Sequence, residues 1–170
     1  VRGIAAKDLA GIGAQVLLSN TYHLHERPGE GTVEELGGLH GFTGWRGPWL
    51  TDSGGYQVTS LADRMQLDEE GVTFASPLDG KRRQLTPENV IAIQESLGSD
   101  IAMVLDQCVP PEPGAEGEVK DAMERSLRWA ERAAKARKKR DQAVFAIVQG
   151  GISEQLRAGS AEASAQLGFD

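Results

Sequence analysis

Three short apolar runs of this chain end directly in side chains that can do chemistry. Trp49-Leu50-Thr51 delivers Asp52-Ser53-Gly54-Gly55-Tyr56, Ile101 to Leu105 delivers Asp106, and Val144 to Val148 delivers Gln149. Two carboxylates gathered at one mouth suit general acid/base work, because close negative charges resist ionising together and one pKa is expected to rise. An aspartate after a strand also serves as a helix or turn cap, and that reading stands beside the catalytic one for each of them. Gly54-Gly55 lets backbone approach a flat ligand closely, and Tyr56 offers an aromatic face for stacking, the alternative being a tight turn with a core tyrosine. Gln149 can donate to a carbonyl oxygen while the aspartates accept from ring and exocyclic N–H groups. Together these are the complements of the edge of guanine.

The elements that must position them alternate along the chain. Ala5 to Gly13 reads as a helix closed by glycine. Gln15 to Ser19 is a buried strand ending in Asn20-Thr21-Tyr22, and Thr32 with Glu35 three residues on is a capping box for a second helix to Leu36-Gly37. Val72 to Ser76, the turn Asp79-Gly80 and Arg82 to Leu85 form a hairpin laid over this pattern. Thr86-Pro87 opens a helix that Gly98 closes. A proline-rich loop, Val109 to Gly117, precedes a long helix from about Val119 to Arg140, and Ser153 caps a last helix to Leu167 before Gly168-Phe169-Asp170, the threshold of another strand. Strand and helix in alternation mean right-handed crossovers and a parallel sheet, either doubly wound or a barrel. Gly11-Ile12-Gly13 precedes its strand and so is no dinucleotide fingerprint. Four strands that each end in working residues favour the barrel, where such residues share one face. The fold expected is α/β, a (β/α) TIM-barrel type that is incomplete, about half of the barrel with an inserted β-hairpin, hence a segment of something longer.

Composition narrows the classes. The chain has 170 residues, 39% hydrophobic and 25% charged, with no apolar run of the roughly 20 residues a membrane helix needs. No secretory signal is visible from Val1 to Ala10, so a cytoplasmic address is expected. Cys108 is the single cysteine, and beside it His23, His25 and His40 show no zinc-ligand spacing. The net charge of -7 argues against wholesale coating of nucleic acid. Lys120 to Asp141 is nevertheless locally basic, readable as a solvated helix face or, less readily, as an RNA contact.

The residues resemble the tRNA-guanine transglycosylases, bacterial type, over nearly the whole chain. The resemblance runs through Ser19 to Leu24, Arg27-Pro28-Gly29, Gly37 to His40, Thr51 to Gln57 (TDSGGYQ), Glu70 to Phe74 and Leu78-Asp79-Gly80. It continues through Leu85 to Glu88, Leu97 to Ile101, Asp106-Gln107-Cys108, Arg125 to Trp129 and Val148 to Gly151 (VQGG). It implies a catalytic barrel over residues 1–170, with the zinc-binding subdomain and its structural Zn2+ outside this chain. It implies Asp52 as general acid/base, with Asp52, Ser53, Gly54, Gly55 and Tyr56 lining the base pocket and Asp106, Gln149 and Gly150 binding the base. The implied activity exchanges guanine at the anticodon wobble position of tRNA for a 7-deazaguanine, preQ1 or queuine, in queuosine biosynthesis. A covalent enzyme–RNA intermediate forms on an aspartate beyond Asp170, so this segment alone is expected to be inactive, and the whole protein to be a homodimer without membrane contact. Gln107 departs from the Glu that many bacterial relatives carry. Two other readings are a non-catalytic RNA-binding partner subunit of the same family and an unrelated barrel enzyme such as a glycosidase.

Overall fold

The computed structural model describes residues 3–57, 65–110 and 115–170. Its strands are β1 (Leu17–Asn20), β2 (Trp49–Asp52), β3 (Met65–Leu67), β4 (Val72–Ala75), β5 (Arg82–Leu85), β6 (Ile101–Met103) and β7 (Ala143–Phe145). The helices are α1 (Ala6–Gly11), α2 (Thr21–Glu26), α3 (Glu30–Glu35), α4 (Gly38–Thr43), α5 (Pro87–Leu97), α6 (Glu116–Ala136) and α7 (Glu154–Ala165). The chain is therefore mixed α/β.

One sheet is wholly parallel, in the order β1-β2-β6-β7, with Asn20 opposite Asp52, Thr51 opposite Ala102 and Met103 opposite Phe145. Each strand lies beside the next parallel one along the chain, without the reversal of order that marks a doubly wound sheet. The backbone N–H of Asp170 donates to the Val144 carbonyl at 3.1 Å, and its carboxylate accepts from the Val144 N–H at 3.0 Å, so Asp170 lies against β7. Among the described residues, helices cover one face only. Trp49, Thr51, Ala102 and Val144 on that face are buried, whereas Leu18 on the other is 65% exposed and Phe145 40%. Alternation along the strands puts Asn20 and Asp52 on the helix-free face with Leu18.

The second sheet is antiparallel, β3-β4-β5. The expected hairpin pairs Val72 with Leu85 and Ala75 with Arg82. Met65–Leu67 joins it as a third strand; three residues next to a run of acidic ones carry no readable alternation. α5 forms as its sequence requires. The Thr86 hydroxyl accepts from the Asn89 N–H, Asn89 accepts from the Thr86 N–H at 2.8 Å, and Gly98 leaves the helix at φ +68°. Its two faces serve two clusters, Val90, Ile93 and Leu97 in the larger, and Ile91 with Ala102, Ala130 and Val144 in the smaller. Between α5 and the parallel sheet, buried Gln94 takes the place of a strand neighbour: it accepts from Thr51 Oγ1 and the Met103 N–H and donates to the Met103 carbonyl.

Two expectations need correction, and two helices are not among those expected. The helix placed on a Thr32–Glu35 capping box begins at Glu30, after Gly29 at φ +94°, and Thr32 lies inside it, its hydroxyl donating to the Pro28 carbonyl at 3.3 Å. The glycine turn sets the start, ahead of the cap signal. The long helix ends at Ala136 and not near Arg140, because the N–H groups of Lys138 and Lys139 turn to Glu95 Oε1 at 2.7 and 2.8 Å. The end of β1 opens directly into α2, and α4 follows α3; each has six residues, too few to be stable alone, and both depend on tertiary packing. Residues 111–114 of the expected proline-rich loop, and Val1 and Arg2 of the amino-terminal stretch, lie outside the described residues.

Candidate active site

The register between β1 and β2 makes the first half of the site. Asn20, opposite Asp52, caps α2 by accepting from the His23 N–H at 3.1 Å, which leaves its amide nitrogen to donate to Asp52 Oδ2 at 2.7 Å. The other oxygen of Asp52 accepts from the N–H groups of Thr21 at 3.1 Å and Gly54 at 3.0 Å. Burial pushes the Asp52 carboxyl above its ordinary range, and the Thr21, Asn20 and Gly54 donors pull it back only in part.

Ser53 is buried, and its hydroxyl accepts from the Gly55 N–H at 3.3 Å. Gly54 sits at φ +77°, and a Cβ there would stand 2.7 Å from the Tyr22 nitrogen; one on Gly55 would stand 2.8 Å from Leu105 Cδ1 and 3.3 Å from the Asp106 carbonyl. The closeness that the glycine pair permits is thus first of all one between chain segments: it lets the turn after β2 lie between the end of β1 and the residues after β6. Gly54→Ala is expected to lower the melting temperature of the full-length gene product, since it adds about 1–2 kcal/mol of left-handed strain to a backbone clash. Thermal unfolding followed by circular dichroism checks this; an unshifted melt would show that the turn can move aside. Tyr56 is 66% exposed, so the core alternative does not hold and its ring is open to solvent beside the site.

The second half of the site stands three and four residues beyond β6 and β7. Gln149 Nε2 donates to Asp106 Oδ2 at 2.5 Å, so the two are brought together directly. Burial also pushes the Asp106 carboxyl up, with the Gln149 bond opposing. Gly150 follows at φ +127°, where a Cβ would stand 2.7 Å from the Arg157 nitrogen. Proximity of the two carboxylates was expected to raise one pKa; both rise, and the cause in each is desolvation, with no contribution to either from the other. The caps were half of the truth: Asp52 does bind turn N–H groups, yet it remains a desolvated acid.

Asn20 escaped assignment by sequence reasoning, although its place at a strand end was visible, because only the β1–β2 register shows that it faces Asp52. The basic stretch is largely paired with acidic residues, most of them from other segments. Arg125 and Arg128 reach Glu69, Arg132 reaches Glu88 at 2.7 Å, Lys135 reaches Glu131, and Arg137 reaches Asp170 at 2.8 Å. Among the described residues no group of three His, Cys, Asp or Glu side chains could hold a metal ion, and no helix is long and apolar enough to cross a membrane. Cys108 is exposed, His25 is engaged with Glu30 and His40 with Asp100, so these residues do not fit a structural zinc.

A family model described as queuine tRNA-ribosyltransferase matches residues 1–170. Curated proteins of that name are similar throughout: one from Thermus thermophilus is 56% identical over 92% of this chain and 40% of its own length. One from a Synechococcus species is 54% identical over 97% of the chain and 44% of its own length, and one from Marinobacter nauticus is 49% identical over the whole chain and 45% of its own length. The chain spans less than half the length of these relatives.

Proposed function

Because the chain belongs to the queuine tRNA-ribosyltransferase family, we propose that its strand ends are the base-exchange site of a tRNA-guanine transglycosylase. The substrate is tRNA with guanine at the wobble position, and the incoming base is a 7-deazaguanine, preQ1 or queuine. Such a base must leave the anticodon stack to be exchanged, and a pocket then reads its edge.

The observation that carries this is the Asp106–Gln149 pair. Its bond uses one hydrogen of the Gln149 amide, and the second is free in valence to donate to the carbonyl O6 of guanine. The Asp106 carboxylate accepts from the N1–H and the exocyclic amine. Adenine offers a lone pair at N1 and an amine where guanine has its carbonyl, so both partners would be left unpaired, at about 1–3 kcal/mol each. Tyr56 supplies the stacking face. Asp52 is the general acid/base, and its desolvated carboxyl, held toward neutrality, fits a group that gives a proton to the departing purine and takes one from its replacement. Between those transfers the bond from the ribose C1' to guanine breaks as one forms to an aspartate carboxylate outside this chain. The incoming base then displaces that carboxylate, as in retaining glycosidases.

The rest of the fold follows the same reading. Residues 1–170 are part of a (β/α) barrel of TIM type, about half of it, with the antiparallel sheet inserted. Sequential parallel order and a helix-free face with Leu18 exposed support this. The zinc subdomain belongs to the remainder of the protein, and its ion supplies local folding there. The full-length protein acts in the cytoplasm as a homodimer. The non-catalytic partner subunit is disfavoured by the retained Asp52 and Asp106. Incubating the full-length gene product with labelled guanine and unmodified tRNA tests the proposal: label is expected to enter the tRNA, and absence of uptake with intact protein would overturn it.

A further inference from the structure

Gln107 and Gln149 share a problem that the parallel sheet does not solve. Each lies beyond the end of its strand, where the ladder offers its backbone N–H no partner, and each adjoins or is one of the two base-reading residues. Both find a serine on the helix that follows. The Gln107 N–H donates to Ser126 Oγ of α6 at 2.9 Å, and the Gln149 N–H donates to Ser160 Oγ of α7 at 3.2 Å. Ser126 is 4% exposed and Ser160 1%. The Ser126 hydroxyl hydrogen is committed to the Ala122 carbonyl at 2.8 Å, which aims its lone pairs outward toward the strand end. Back-bonding of this kind gives a helix nothing and slightly disfavours it, so helix stability does not account for a serine here. Arg125 grips the same segment a second time, through Gln107 Oε1 at 2.5 Å.

We propose that Ser126 and Ser160 are paired positioning residues, which act through the backbone beside Asp106 and at Gln149 to fix the spacing of the base-reading pair. Neither touches the base. A 2.5 Å contact between two side chains from different strands survives only if both main chains are placed to within a fraction of an ångström. Two serines, one per β/α unit, supply that placement from helices that are themselves packed together. The inference rests on the reading of Asp106 and Gln149 as base readers.

The test is the KM for guanine in the exchange reaction of the full-length gene product, in a double-mutant cycle. Ser126→Ala is expected to raise this KM about fivefold, in line with one lost hydrogen bond, with a smaller effect on kcat. Ser126→Thr, which keeps a hydroxyl, should restore it. In an Asp106→Asn background the same Ser126→Ala change should have no further effect, because the residue it positions has already lost its charge. Equal increases in both backgrounds, or a lowered melting temperature with an unchanged KM, would overturn the proposal and leave the serine as packing. If Asp106→Asn itself leaves the KM for guanine unchanged, the base-reading assignment fails, whatever the serines do. Ser160→Ala, with Gln149→Ala as the background, repeats the cycle on the second unit.

Discussion

Asp52→Asn in the full-length gene product is expected to cut guanine exchange by about 10²–10⁴-fold, the range of a lost general acid/base. The change is nearly isosteric, and an asparagine oxygen can still accept from the Thr21 and Gly54 N–H groups as Asp52 does. Its amide nitrogen, however, would face the amide nitrogen of Asn20, donor against donor. Asn20 cannot turn over freely, because its oxygen caps α2 on the His23 N–H. The variant therefore loses the proton-carrying group and one orienting contact while keeping the turn. Binding of tRNA, which does not depend on proton transfer, is expected to persist. Label uptake measured beside a tRNA binding assay separates the two, and exchange at an unchanged rate would remove Asp52 from the mechanism.

Asp106→Asn should act on recognition. On the proposed reading, an ionised acceptor facing the N1–H and amine of guanine is replaced by an amide that can meet only one of them, and a hydrogen bond to a charged group is worth about 1.5–3 kcal/mol. The KM for guanine should rise by about 10- to 150-fold, with discrimination against adenine weakened in step. The pH dependence has a definite sign. The carboxylate must be ionised to accept from the base, and burial has raised its pKa. Guanine affinity is therefore full well above that raised value and declines as pH falls through it, beginning at higher pH than for a free aspartate of about 3.9. The asparagine variant should show a flat profile over the same range. KM measured against pH for both proteins checks this; parallel declines would place the titrating group elsewhere.

What the sequence makes legible here is whatever is local. Thr86, Pro87 and Gly98 bound a helix by their own conformational rules, Ser153 caps α7, and apolar runs bounded by turn residues give four strands and the hairpin. Polar residues at the ends of successive strands point to one mouth. What stays hidden depends on pairing and burial. The α2 and α4 helices are shorter than a self-supporting helix, β3 has three residues, and the Asn20–Asp52 contact exists only through the register of two strands 32 residues apart. Charge counting puts two acids near one another and predicts mutual repulsion; it cannot see that each is desolvated by its own walls. The same holds for the basic stretch of α6 and the residue after it, where sequence leaves a solvated face and an RNA contact both open until Glu69, Glu88 and Asp170 arrive from distant segments to pair with Arg128, Arg132 and Arg137.

The burial of these two acids also bears on how durable the fold is. A carboxyl whose pKa is higher folded than unfolded favours the native state while protonated, below the unfolded pKa, and that advantage is lost as pH rises through the folded value. At neutral pH Asp52 and Asp106 therefore oppose folding, and the surrounding helices and sheet must outweigh them. Under the proposed function, base exchange and robustness pull in opposite directions at these two positions. A lineage freed from the need for base exchange would gain sturdiness by neutralising either acid, so descendants that keep only a scaffolding role should be recognisable by uncharged residues at both.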